Sequence, residues 1–210
     1  MVGCLCLEVN TLCSSSIPSP MQKIDLPDLP EYYYFDTASF SYVPTSLDCT
    51  LFGILGLFND IAWFSSISRG EESWTWAKVN SNLNFQPSHS NPVFYNELFY
   101  CLGQDCNLGV FNPKEEDSSW TVLDGPKKPR GCDSVHESYL MECDGKLLSV
   151  CVGNRGGGVP VYTLDESEIA WQRVTDLGSK VVCMDPLAVT SVKRTFVAQK
   201  SSYTAVGLSQ

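Results

Sequence analysis

Residues 150–164 read VCVGNRGGGVPVYTL, with four glycines in the six positions 153–158 and apolar residues on both sides. Such a run either cradles a phosphate or turns a hairpin. A phosphate loop needs GxxxxGK followed by Ser or Thr, and it opens a helix. Here no Lys-Ser or Lys-Thr follows, and the next segment, VPVYTL, has strand character. A dinucleotide fingerprint fails for the same reason. The stretch reads as a turn joining strand KLLSVCV to strand VPVYTL inside one unit. Glycine supplies the positive φ and the close backbone approach that such a turn uses.

To either side the chain alternates short apolar runs with turn clusters. LFGILGLF, IAWFSSI, VFYNELFYCLG, LGVFN, WTVLD, SYLMEC and KVVCM are separated by Asn-Asp, Arg-Gly, Gly-Gln-Asp, Asn-Pro and Asp-Gly. No amphipathic helix of ten residues or more stands out. Many short strands with frequent turns predict an all-β fold, either a sandwich or a propeller.

Three tryptophans favour the propeller. Trp76, Trp120 and Trp171 lie 44 and 51 residues apart. Nine positions before them stand Ile67, Phe111 and Tyr162, and acidic turns intervene: RGEESWT, PKEEDSS and DESEIA. YNELFYCLG aligns with CDGKLLSVCVG, each a turn followed by an apolar strand that ends at glycine. A period of about 45 to 50 residues suits the blade of a kelch-type β-propeller. The competing reading is a β-sandwich with tryptophans at chance spacing.

The predicted architecture is a partial kelch-like β-propeller of about three four-stranded blades over residues 31–185. Residues 1–30, with CSSSIPSP and LPDLP, read as an extended or disordered segment, and residues 186–210 as an irregular tail. A closed propeller usually has about four to eight blades. About three blades leave strand edges open, so an incomplete, marginally stable propeller or closure by a partner is expected.

Composition narrows the function. The chain has 24 acidic and 14 basic residues, net charge −10, and its densest basic run is KKPR at 127–130. An acidic chain without a basic stripe repels phosphate backbones, which argues against nucleic acid. No apolar run reaches the length of a membrane span. MVGCLCLEVNTLC lacks a positive leader region, and Val2 stands where myristoylation needs glycine.

The ten cysteines are Cys4, Cys6, Cys13, Cys49, Cys101, Cys106, Cys132, Cys143, Cys151 and Cys183. Their irregular spacing, with several inside apolar runs, reads as free buried thiols in a reducing compartment, cytoplasm or nucleus. No CxxC pair exists, and His89 and His136 are the only histidines, so neither metal nor cofactor is expected.

Candidate chemistry is sparse. GCDSVHESYLMEC gathers Cys132, Asp133, His136, Glu137 and Cys143, but triad members normally converge from distant segments. A polar loop between blades is the competing reading. Glu115, Glu116, Glu166 and Glu168 lie in acidic turns and read as solvated. The tryptophans read as packing between blades rather than stacking a sugar or base. No catalytic, cofactor-binding or metal residue is assigned, and no substrate-binding residue can be named.

SYVPTSLDCTLFGI, RGEESWTWAKV, NPVFYNELFYCLG, LGVFNPKEEDSSWTVL and SYLMECDGKLLSVCVG through VPVYTLDESEIAWQRVTDLG resemble the plant F-box/kelch-repeat proteins, over about residues 31–180. The resemblance implies a propeller that presents a protein-substrate-binding face and has no catalytic site. In that family F-box helices bind a Skp-type adaptor and so reach a cullin ubiquitin ligase. No F-box pattern is legible: IDLPDLP at 24–30 holds Leu-Pro twice without helical periodicity after it. Adaptor binding is therefore expected only of a longer form carrying that module. After Gly178 the strand-rich pattern fades.

The expected function is a non-catalytic protein-interaction module resembling the propeller of ubiquitin-ligase substrate receptors. The alternatives are a carbohydrate-binding or hydrolytic propeller enzyme, or a truncated product without independent function.

Overall fold

A computed structural model describes residues 6–9, 22–30, 34–58, 61–80, 85–115, 120–129, 135–153, 159–177, 180–185, 188–193 and 204–206. Among these residues every regular element is a strand. Three four-stranded antiparallel meanders follow one another along the chain. The first contains β3 (Thr37–Phe40), β4 (Thr50–Phe58), β5 (Ile61–Ser68) and β6 (Thr75–Asn80). The second contains β7 (Val93–Tyr95), β8 (Leu98–Leu102), β9 (Leu108–Phe111) and β10 (Trp120–Val122). The third contains β11 (Val135–Glu142), β12 (Leu147–Gly153), β13 (Val161–Asp165) and β14 (Ala170–Val174). These are the three predicted blades, here numbered 1 to 3.

Flanking strands complete the topology. Within residues 1–30, β1 (Cys6–Val9) pairs antiparallel with β2 (Gln22–Asp25). Beyond blade 3, β15 (Lys180–Asp185) lies between β16 (Ala188–Lys193) and β17 (Thr204–Val206). The segment read as an irregular tail thus contains two strands; β16, AVTSVK, is half β-branched and suits a pleated ladder. The first strands of the blades are neighbours: β3 lies beside β7, and β11 beside β7, β8 and β16. That places the first strands innermost.

The hairpin reading of VCVGNRGGGVPVYTL holds. β12 pairs with β13 antiparallel, Leu148 opposite Thr163 and Val150 opposite Val161. The glycines at 156–158 lie outside the described residues.

The strands read as continuous apolar runs because each blade is buried on both faces. On β8, Phe99 and Cys101 point into a core shared with Phe52, Ile54 and Phe64 of blade 1. Leu102 and the half-buried Tyr100 point the other way, into a core shared with Leu140, Leu164 and Trp171 of blade 3. In an open antiparallel sheet with one wet face, these positions would alternate apolar and polar. Radial stacking buries both sets, which rules out the two-layer sandwich.

The tryptophans of the outer strands reach back to what precedes them. Trp120 stacks on Phe64 of blade 1 with ring centroids 4.2 Å apart, and Phe85 meets it edge-on at 5.1 Å. Trp171 Nε1 donates to the Cys106 carbonyl of blade 2 at 2.8 Å. In blade 1 this part falls to Trp74, whose Nε1 donates to the Pro27 carbonyl at 2.9 Å. Trp76 packs, half-buried, on the same apolar cluster.

The nine-residue spacing is therefore not one structural position. Phe111 stands directly opposite Trp120, whereas Trp76 faces Ser65 and Trp171 faces Leu164. Turns of different length between the third and fourth strands break the register.

Two glycines make the stacking possible. A Cβ on Gly109 would collide with the Trp120 ring, and one on Gly53 with the Phe35 ring. Trp120→Ala should cost about 3 kcal/mol in urea unfolding, as large-to-small core changes do. Gly109→Ala should cost about 1–3 kcal/mol by overpacking. Trp74→Ala should destabilise more than Trp76→Ala, reversing the order that the repeat spacing suggests.

Candidate interaction surfaces

In a four-stranded meander, the first and third turns lie at one end and the second turn and inter-blade linker at the other. The blades therefore expose two distinct faces, and each carries a cavity at a blade junction.

On the face of the first and third turns, a groove of about 440 Å³ separates blades 1 and 2. One wall is the β3–β4 loop, 41–49, with Ser41, Tyr42, Leu47 and Asp48. The other wall carries Phe94, Glu97, Pro113 and Lys114, and the Thr50 and Ser68 hydroxyls meet at 3.1 Å beneath. Tyr42 spans the junction, its ring edge-on to Phe94 at 5.3 Å.

Its hydroxyl donates to Glu97 Oε1 at 2.7 Å, and Lys114 Nζ pairs with Glu97 Oε2 at 2.6 Å. The Lys114 ammonium, and then the Tyr42 hydroxyl, hold the Glu97 carboxyl below the usual carboxylate range. The same bond to Glu97 raises the Tyr42 phenol.

Glu97 sits in a two-residue turn, Asn96-Glu97, between β7 and β8. Both residues have positive φ, 48° and 65°. Such turns favour Asn and Gly. A glutamate there is uncommon, and left-handed backbone at non-glycine residues concentrates at functional positions.

The β3–β4 loop is a held structure. Ser41 N donates to Thr50 O at 2.9 Å, Ser46 N to Val43 O at 2.8 Å, and Arg69 N to Cys49 O at 2.9 Å. The Arg69 guanidinium donates to the Pro44 carbonyl, and the Cys49 thiol to Tyr42 O at 3.3 Å. On this fixed backbone Val43 is 61% exposed and Leu47 82% exposed.

The junction of blades 2 and 3 repeats the tyrosine link. Tyr95 ends β7 and reaches Glu166 Oε1 at 2.6 Å and the Gly145 carbonyl at 2.9 Å. The bond to Glu166 raises the Tyr95 phenol. Glu166, read from the sequence as merely solvated, is a cross-blade acceptor.

On the opposite face, a polar cavity of about 360 Å³ lies between blades 2 and 3. Ser88 and His89 come from the linker before β7, Gln104 and Asp105 from the β8–β9 turn, Lys128 from the β10–β11 linker, and Glu137 and Tyr139 from β11. Tyr139 donates to Glu137 at 2.6 Å, and burial followed by that bond pushes its phenol up to about 12. Among the described residues, His89 makes no side-chain hydrogen bond, while Ser88 Oγ accepts from the Ser90 amide at 3.2 Å. A nucleophile–base pair needs hydrogen-bond contact between the two groups, and Ser88 and His89 do not make it.

The sequence candidates are distributed differently. Glu137 lines the polar cavity together with His89. Cys132 and Asp133, with the His136 side chain, lie outside the described residues, as do Glu116 and Arg130 of KKPR. Cys143 is buried, like Cys49, Cys101, Cys106 and Cys151, and burial pushes the Cys101 thiol well up. Lys128 of KKPR lines the polar cavity and Lys127 is exposed. Glu115 and Glu168 are exposed.

No sequence motif assigns a role to the groove residues Tyr42, Leu47, Asp48, Glu97 and Lys114. Two signals pointed to them: Val43 and Leu47 are apolar inside a Pro/Ser/Thr loop, and Asn96-Glu97 is a two-residue gap between aromatic strands.

The sequence of this chain matches a known family, the KIB1-4 beta-propeller, over residues 6–201. The chain belongs to the KIB1-4 β-propeller family. An F-box/kelch-repeat protein of Arabidopsis thaliana is 31% identical to this KIB1-4 propeller over 183 residues, covering 86% of the chain and 50% of the relative. A second F-box/kelch-repeat protein of that plant is 27% identical, covering 63% and 36%, and an F-box protein 26% identical, covering 75% and 42%. The chain thus spans half or less of these relatives' length. No solved structure matches it significantly. The resemblance to plant F-box/kelch proteins is borne out. Among the described residues no helix is long and apolar enough to cross a membrane.

The Glu97 link has a pH signature. A carboxyl whose folded pKa lies below its unfolded value stabilises the fold at neutral pH; that contribution is lost as pH falls through the folded pKa. Glu97→Gln should lower the melting temperature at pH 7, and the gap should close as the buffer is taken below about pH 4. A gap that persists in acid would place the effect elsewhere.

Proposed function

We propose that this KIB1-4 propeller is a non-catalytic protein-interaction module that holds a protein substrate for a ubiquitin ligase. The blades within residues 31–185 are its working unit. The observation that carries this reading is the held β3–β4 loop. Its hydrogen bonds fix the backbone while Val43 and Leu47 stand in solvent beside a groove. Large apolar side chains on a rigid loop, facing water beside a concavity, fit contact with another protein. The names of the relatives supply the context: they are F-box and F-box/kelch-repeat proteins.

In this reading the propeller selects the substrate, and a Skp-type adaptor is reached only through an F-box in a longer form. The protein works in the cytoplasm or nucleus, where free thiols such as Cys101 stay reduced.

Size-exclusion chromatography with a pull-down against a Skp-type adaptor tests this division of labour. A monodisperse 210-residue chain should leave the adaptor unbound. Capture of the adaptor by the folded chain would move the adaptor site into the propeller and overturn the division. An aggregated chain would favour a product without independent function.

The enzyme alternative is tested at the polar cavity, which gathers His89, Asp105 and Glu137 from two blades. Turnover of glycoside or ester substrates that His89→Ala abolishes would overturn the non-catalytic reading.

A further inference from the structure

We propose that the groove between blades 1 and 2 binds a partner-protein segment carrying an apolar side chain next to a lysine or arginine. This rests on the interaction-module reading and names the chemistry of its partner.

The apolar half of the site is Leu47, with Phe94 across the groove. Leu47 lies 82% exposed on a loop held by main-chain hydrogen bonds at both ends, so covering it requires little ordering of this chain. Covering Leu47 removes exposed apolar surface from water, which favours an apolar side chain on the partner. A partner that brings its own apolar residue covers both surfaces at once.

The charged half is Asp48. Three charges line the groove: Asp48, Glu97 and Lys114. Glu97 and Lys114 neutralise each other at 2.6 Å, and Tyr42 takes the second Glu97 oxygen. The remaining charge is Asp48, whose exposed carboxylate has no hydrogen-bond or ion-pair partner among the described residues. The net charge of the lining is therefore −1, and that of the whole chain is −10. A cationic side chain complements both, and the long-range field accelerates its approach.

The left-handed turn adds a reason for the position of Glu97. Its carboxylate holds Lys114 and so keeps that ammonium from capturing Asp48. The unfavourable backbone at Glu97 is thereby tied to an open anionic subsite.

The experiment displays a random library of twelve-residue peptides to the intact immobilised chain. Enriched peptides should share an apolar residue within about three positions of a Lys or Arg, since an extended residue spans about 3.3 Å. A synthetic peptide of that pattern should bind at least tenfold more weakly to Leu47→Glu and to Asp48→Lys. Asp48→Lys should in turn select peptides in which Asp or Glu replaces the basic residue, an outcome that misfolding cannot produce.

Binding that survives both substitutions but is lost on Asp105→Lys would keep the interaction reading and overturn the groove. Enriched peptides without a basic residue would overturn the charge assignment. Concentration-dependent self-association abolished by Leu47→Glu would show that the occupant is a second copy. Failure of a monodisperse chain to enrich any peptide would overturn both this inference and the reading beneath it.

Discussion

The structure depends on aromatic packing between blades. Phe52 of blade 1 stacks on Phe111 of blade 2 at 4.5 Å, Phe64 on Trp120 at 4.2 Å, and Phe52 lies 5.0 Å from Phe99. Phe52, Phe64, Phe85 and Phe99 are all under 2% exposed. Each such side chain contributes about 1.5–3 kcal/mol on burial. A cross-blade hydrogen bond such as Trp171 to Cys106 adds only about 1 kcal/mol. Burial therefore supplies most of the energy, and the hydrogen bonds fix the geometry. A four-stranded meander taken alone would leave both of its apolar faces in water, so no blade is a stable unit without its neighbours.

That constraint positions the surfaces. The Trp120 stack and the Tyr42 link hold blades 1 and 2 at a fixed separation, and the groove is what remains between their turns. The Tyr95 link and the Trp171 bond do the same for blades 2 and 3, leaving the polar cavity on the other face. Ser90 ties this second junction from within, its hydroxyl accepting the Leu140 amide at 2.8 Å. Both cavities are products of blade spacing, so substitutions in the aromatic core should alter binding without touching the groove.

Much of the fold was legible in the sequence because the repeat is written in strand-length apolar runs and turn residues. The order of turn, apolar strand and glycine in YNELFYCLG and CDGKLLSVCVG marked the second strands of blades 2 and 3. The tryptophan spacing found the right strands but the wrong equivalence: turn length shifts Trp76, and Trp74 makes the backward contact in blade 1. The surfaces were far less legible. Leu47, Asp48, Glu97 and Lys114 come from three different turns of two blades, and no linear pattern links them. The members of the cluster around His136 are close in sequence, and that closeness alone sets them apart. In space, Glu137 has His89 and Asp105 as fellow cavity residues, drawn from two other segments.

The most direct measurement is native-state hydrogen exchange of the amides in β4, β8 and β12, the second strands of the three blades. If inter-blade aromatic packing holds the arc together, their slowest amides exchange with one common free energy. Trp120→Ala then lowers the values for blades 1 and 2 together. Three separate free energies, with the loss in Trp120→Ala confined to blade 2, would show that the blades are stable one by one and contradict the central claim.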